Sequence, residues 1–170
     1  VTRLGMGGCP LGGHGWGKVS DYDSIRAVQT ALDAGINFFD TADVYGLGHS
    51  EQILSSALED SRHSAVIATK FGVRQGADGQ MVKDISPSYL REALENSLER
   101  LRIDSIPLYY VHWPDGNTPI EAAIEELAKC REEGKIQAIG VSNFSPDELR
   151  RANKVTDIAA IQLQLSLINR

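Results

Sequence analysis

Short apolar runs alternate with amphipathic stretches along the whole chain. The first run, residues 2–8, dissolves into a loop holding Gly12, Gly13, Gly15, Trp16 and Gly17. Ile25, Val28, Ala31 and Leu32 then recur at the spacing of a helix face, predicting a helix over 24–34 with Asp21 or Asp23 as its cap and Gly35 as its stop. Residues 37–40 form a second apolar run that ends on Asp40, and 50–58 place Ile53, Leu54, Ala57 and Leu58 on one helical side. The run 65–70 is apolar until it ends on Lys70, and a glycine-bearing loop over 71–83 follows. Ser86 and Pro87 open a helix marked by Leu90, Leu94, Leu98 and Leu101. The run 107–112 ends on His112, with Trp113-Pro114-Asp115-Gly116 as its exit turn. Thr118-Pro119-Ile120-Glu121 begins a helix closed by Gly134. A strand over 136–141 leads into Ser142-Asn143, Ser145 starts another helix, and 158–163 is the sixth run.

Strands joined through helices predict a parallel sheet with helices on its faces. An open doubly wound sheet and a (β/α) barrel both fit that alternation. The polar residues decide between them. Asp40, Lys70 and His112 each close a different strand, Tyr45 follows the first, and Ser142, Asn143 and Gln162 lie at the fifth and sixth. In a barrel these ends meet around one mouth, whereas an open sheet would spread them along a line. The expectation is an α/β barrel forming a single domain over 1–170, with no repeat and no linker.

Composition narrows the setting. A net charge of −6 with 42% hydrophobic residues describes a mildly acidic globule and lacks the basic patch of a nucleic-acid or membrane-surface binder. No apolar run reaches the roughly 20 residues of a bilayer span, and the first residues do not form a signal peptide. Cys9 and Cys130 stand far apart with no CxxC pair, so neither a disulfide framework nor a metal site is expected, and a reducing cytoplasm is the natural location.

Taken singly, Asp40 could be a cap, Lys70 a snorkelling strand end, His112 a core histidine and Ser142-Asn143 a helix cap. Together they form a proton-transfer set. A free phenol titrates near pH 10, and an adjacent ammonium would favour its phenolate and lower that value. Asp40 would hold Lys70 charged, and His112 could orient a carbonyl oxygen. Such a set suits reduction of a C=O group with Tyr45 supplying the proton. None of these side chains carries hydride, so a cofactor is required. The hydroxyl and amides of Ser142, Asn143 and Gln162 are of the kind that fixes a nicotinamide carboxamide.

The segments Phe39-Asp40-Thr41-Ala42-Asp43-Val44-Tyr45-Gly46, Gly48-His49-Ser50-Glu51, Ala68-Thr69-Lys70, Val111-His112-Trp113 and Ile139-Gly140-Val141-Ser142-Asn143-Phe144 resemble, in order and over nearly the full length, the aldo-keto reductase family. Within it, the bacterial branch near general-stress reductases and potassium-channel β subunits is most similar. The resemblance implies a (β/α)8 TIM barrel that reduces small aldehydes or ketones with NADPH, or less often NADH. Tyr45 would be the acid, Asp40 and Lys70 its activators, and His112 the carbonyl-orienting group. Ser142, Asn143 and Gln162 would bind the nicotinamide amide, with Gly8 and Cys9 at a first-strand turn against cofactor and substrate. The chain departs from the family where Gly8 replaces a frequent threonine and Leu165 a frequent tyrosine. Only about six of eight strand–helix units are present, so a barrel lacking its last two strands, or self-association of two copies, is expected. The rival readings are a non-catalytic regulatory module and an inactive truncated fragment.

Overall fold

A computed structural model describes the 170 residues except 14, 60, 62, 63, 169 and 170. The chain opens with β1 (Met6–Gly7), a 3₁₀ turn (Cys9–Gly12) and α1 (Asp21–Asp33), then runs through β2 (Phe38–Asp40), α2 (His49–Leu58) and β3 (Val66–Phe71). A small hairpin follows, β4 (Val73–Gln75) and β5 (Met81–Lys83), and then α3 (Pro87–Leu101) and β6 (Ile106–Val111). The described elements end with α4 (Ile120–Glu132), β7 (Ile136–Ser142), α5 (Pro146–Val155) and β8 (Ala160–Gln162).

Six strands form one all-parallel sheet in the order β1-β2-β3-β6-β7-β8. Parallel strands need crossovers, and helices supply them here, so the central strands are covered on both faces. Position parity separates the two faces. Ile67 and Phe71 of β3, Tyr109 and Val111 of β6, and Ile139 and Val141 of β7 pack into the core formed with the helices. Lys70, Tyr110 and Gly140 between them line up across the other face as direct register partners. Gly140 is required there, because a Cβ would run into the Tyr110 ring. β1 and β8 are the sheet's two edges, and the sheet is an incomplete barrel of the (β/α)8 type.

Three local expectations need correction. Ser20, not Asp21 or Asp23, caps α1: its hydroxyl accepts from the Asp23 N–H, three residues on. The two aspartates sit in the first turn, where the helix's positive end favours them. The stretch 71–83 is not all loop but carries the antiparallel β4–β5 pair, Val73 opposite Lys83 and Gln75 opposite Met81. The first strand is only Met6–Gly7, because Cys9 already begins the 3₁₀ turn. Elsewhere the capping chemistry matches the pattern. Ser86 accepts from Tyr89 N–H ahead of Pro87, and Ser145 and Glu148 form a reciprocal capping box.

Candidate active site

Asp40, Lys70, His112, Ser142 and Gln162 all have even numbers on strands whose odd residues face the helices. The alternation of side chains therefore delivers all five to one face at the strands' C-terminal ends. Lys70 is completely buried and its Nζ donates to Asp40 Oδ2 at 2.8 Å and to the Thr41 carbonyl at 2.7 Å. The same Nζ lies 5.1 Å from the centre of the Tyr45 ring, and the His112 ring meets Tyr45 edge-on with centroids 5.8 Å apart. Four residues from β2, its exit loop, β3 and β6 thus share one spot.

The electrostatics of that spot reverse one expectation. Tyr45 is not made more acidic; its pKa rises above the usual phenol value. Burial is the main cause, and the negative charges of Asp40, Cys9 and Asp43 add to it. Lys70 does not offset them because its positive charge is already matched by Asp40 and Thr41. Burial also lowers the Lys70 pKa, against the opposing pull of Asp40. His112 falls to about 4, again through burial first and then the Lys70 charge, so its imidazole is neutral at pH 7. Its Nδ1 is buried with no partner among the described residues.

At the β7 and β8 ends, Asn143 takes a left-handed backbone (φ 60°), a conformation asparagine tolerates better than most residues. Its Nδ2 donates to the His112 carbonyl and to Ser142 Oγ, both at 3.0 Å, and its backbone N–H donates to the Gln162 carbonyl at 3.1 Å. Gln162 Nε2 donates to Asp40 Oδ1 at 3.0 Å. Gly8 is buried, with its N–H on the Asp40 carbonyl and its carbonyl accepting from Ser50 Oγ. A Cβ at Gly8 would stand 2.9 Å from Ser50 Oγ and 3.0 Å from the Asp40 carbonyl, so packing accounts for glycine where relatives carry threonine. Leu165, the other departure, is exposed.

The Tyr45 loop is fastened by a glycine crossing. Gly12 of the 3₁₀ turn lies against the Tyr45–Gly46 peptide, where an added Cβ would come within 2.6 Å of the Tyr45 carbonyl carbon. Gly46 has φ 62° and faces Gly12 in the same way. Beside this crossing a cavity of about 610 Å³ opens over Tyr45, walled by Cys9 and Val44 on one side and by Gln75 and Met81 of the hairpin on the other.

Sequence reasoning missed a buried polar cluster behind the loop. Glu51 is fully buried, accepting from Thr69 Oγ1 and from Arg100 Nε, each at 2.6 Å. Asp43 accepts from the Tyr89 hydroxyl at 3.2 Å, while its Oδ1 is buried without a partner. Burial, and then the charge of Glu51, push the Asp43 pKa up to about 7. The Tyr109 hydroxyl is a second buried group without a partner. The available signal was Asp43 itself, a carboxylate between Ala42 and Val44; nothing local announces Arg100 as the partner of Glu51. Among the described residues no helix is long and apolar enough to cross a membrane, and no cluster of metal-ligating side chains occurs.

A barrel face with polar residues gathered at its C-terminal rim defines the class, and the comparisons agree. The family model described as "Aldo/keto reductase family" matches residues 3–170, and the chain belongs to that family. It is 41% identical over 171 residues to a probable aldo-keto reductase of Glycine max, covering 100% of this chain and 49% of that protein. It is 38% identical over 172 residues to the aldo-keto reductase YhdN of Bacillus subtilis (strain 168), covering 100% and 52%. The chain spans about half the length of the curated relatives it matches. Among solved structures, a glycerol dehydrogenase of Gluconobacter oxydans matches with a TM-score of 0.91 at 41% identity, over 99% of this chain and 53% of that one. An aldo-keto reductase of Klebsiella pneumoniae in complex with NADP and acetate matches with a TM-score of 0.76 at 26% identity, over 95% and 53%.

Proposed function

We propose that the protein is an oxidoreductase that reduces a small aldehyde or ketone to its alcohol at the expense of NADPH, with Tyr45 as proton donor. The observation that carries this reading is the packing of a buried Lys70–Asp40 ion pair and a neutral His112 around Tyr45. A raised pKa keeps the phenol protonated at neutral pH, the state a proton donor must start from. Lys70 lies where it can stabilise the phenolate left after transfer, and Asp40 holds the ammonium in place. The neutral His112 ring, edge-on to Tyr45, has an N–H to offer the carbonyl oxygen, which fixes the acceptor's orientation.

The reduced nicotinamide would supply hydride, and the rim residues fit its carboxamide. With Asn143 Nδ2 and Gln162 Nε2 already engaged, each side chain retains a carbonyl oxygen as acceptor, and Ser142 retains its hydroxyl proton. Two acceptors and one donor complement the NH₂ and C=O of a primary carboxamide. Gly8 and Cys9 stand at the β1 turn beside this rim. The NADP-bound relative from Klebsiella supports NADPH over NADH.

The test is titration of NADPH and NADH into the protein, followed by nicotinamide fluorescence, and then turnover on a panel of carbonyl compounds. Tyr45→Phe should lower turnover by about 10²–10⁴-fold, the usual contribution of a positioned acid, while leaving cofactor binding intact. Unchanged turnover in that variant would remove Tyr45 from the role.

A further inference from the structure

The cavity over Tyr45 has a wall that the strand ends do not supply. Gln75 and Met81, direct partners in the β4–β5 hairpin, line it opposite Cys9, Val44 and Leu47. None of the described residues lining it carries a charge, and its polar groups are the Tyr45 hydroxyl, the Gln75 amide, the Cys9 thiol and backbone. Leu47 and Met81 are both substantially exposed, which is uncommon for large apolar side chains that serve only packing. Leu47 also holds φ 53° between left-handed Gly46 and Gly48. Left-handed backbone is strained for a leucine, and such strain tends to persist where a site uses the side chain's position.

The hairpin is anchored at its base. Arg74 pairs with Asp84 at 2.9 Å and stacks over Tyr89, Lys83 lies 4.3 Å from the centre of the Trp113 ring, and Asp115 accepts from the Ile85 N–H. At its tip, Gly76 N–H bonds the Gln80 carbonyl and Gln75 Nε2 bonds the Gly79 carbonyl. Met81 is therefore held at a fixed place in the wall.

We propose that this cavity receives the substrate's substituent and selects an uncharged, apolar one, with Met81 of the hairpin and Leu47 of the Tyr45 loop setting the preference. The inference rests on the reductase reading of Tyr45 and adds the class of carbonyl compound to it. A carboxylate or phosphate entering here would lose hydration without gaining a cationic partner, and would approach the Asp40 and Asp43 charges that already act on Tyr45. A polyol would leave hydroxyls against Met81, Leu47 and Val44. An aromatic or branched aliphatic group buries its surface against the same atoms.

Product alcohols provide a test that does not depend on turnover. Binding of 4-methylbenzyl alcohol, 4-(hydroxymethyl)benzoate and glycerol is measured by saturation-transfer NMR on the protein, on Met81→Lys and on Tyr45→Phe. The expected result is at least about tenfold tighter binding of the methyl compound than of either other, since only that ligand enters without stranding a polar group. Met81→Lys should narrow the methyl-to-carboxylate ratio by about tenfold, by placing a cation in the apolar wall. The proposal is overturned if the benzoate or glycerol binds as tightly as the methyl compound, if none binds below about 10 mM (a ΔG weaker than about −2.7 kcal/mol), or if Met81→Lys leaves the ratio unchanged. Tyr45→Phe should keep the ratio. Turnover surviving in that variant would refute the proton-donor reading without touching the binding preference, so the two failures are distinguishable.

Discussion

Gln162 Nε2 donates to Asp40 Oδ1 at 3.0 Å, although their strands are the second and sixth of the sheet. Four inter-strand steps of about 4.8 Å would separate these strands by about 19 Å in a flat sheet. The register widens the gap: Asp40 is level with Ala68, Leu108 and Ala138, whereas Gln162 pairs with Ser142, four residues further along β7. Contact across both offsets requires the curvature and stagger of tilted barrel strands. The one carboxylate of Asp40 thereby joins Lys70 on β3 to the rim residue of β8.

Removing Lys70 should be costly. In Lys70→Met, Asp40 loses its charged partner inside the barrel, and about 3 kcal/mol of stability should go with it, as for other broken buried pairs. Asp40→Asn should cost less, because the ammonium keeps the Thr41 carbonyl. Urea unfolding of both variants checks the order. A Lys70→Met loss below about 1 kcal/mol would mean that water reaches the pair.

Asp43 and His112 should impose opposite pH slopes. The folded-state pKa of Asp43, about 7, lies above the ordinary 3.8, so the folded state holds the proton longer and stability falls as pH rises from about 4 to 7. The folded-state pKa of His112, about 4, lies below the ordinary 6.5, so stability is lost as pH falls through the same range. The two nearly cancel in the native protein. Asp43→Asn should leave stability that declines toward acid, and His112→Asn stability that declines toward neutrality. Each change amounts to on the order of 3–4 kcal/mol across the window, at 1.36 kcal/mol per pH unit. Denaturant midpoints at pH 4, 5, 6 and 7 would show it, and parallel profiles for the two variants would refute it.

The glycine crossing under Tyr45 should not tolerate a methyl group. Gly46→Ala combines a left-handed φ with a clash against Gly12, and should lower stability by more than about 1 kcal/mol while displacing Tyr45. Gly7→Ala, where a Cβ meets nothing within 4 Å and φ is not positive, is the control and should stay within about 0.5 kcal/mol of the parent. Thermal melting compares them.

Arg100→Ala should leave Glu51 buried and facing only Thr69, at a cost of about 3–5 kcal/mol. The double variant Arg100→Leu, Glu51→Leu should recover much of that loss. Failure to recover would mean that Arg100 contributes mainly through its packing against Gly48, where an added Cβ would meet the guanidinium.

Much of the fold could be read from the chain because its central strands are buried on both faces and each ends on a polar residue. Runs closing on Asp40, Lys70 and His112 mark both the strand and its direction. The β4–β5 hairpin escaped because its three-residue strands are mostly exposed and show no alternation. Ser20 was passed over for Asp21 and Asp23 because capping depends on which oxygen reaches the N–H three residues on, not on charge. The direction of the Tyr45 shift was misjudged for a different reason. Sequence shows that an ammonium is near, but not that Asp40 and Thr41 already engage it, nor how deeply the phenol is buried. Asp43, Glu51 and Arg100 lie far apart along the chain, and only the packing of α2 and α3 on β3 brings them together.

The even-numbered placement of the rim residues limits how the gene can change by insertion or deletion. Losing a single codon inside β3 upstream of Lys70 would rotate the lysine out of the barrel toward α2 and bring an apolar side chain in against Asp40. Losing two would restore the facing and only shorten the strand. Length variation in this protein should therefore be found in the turns between elements, and within a barrel strand only as pairs of residues.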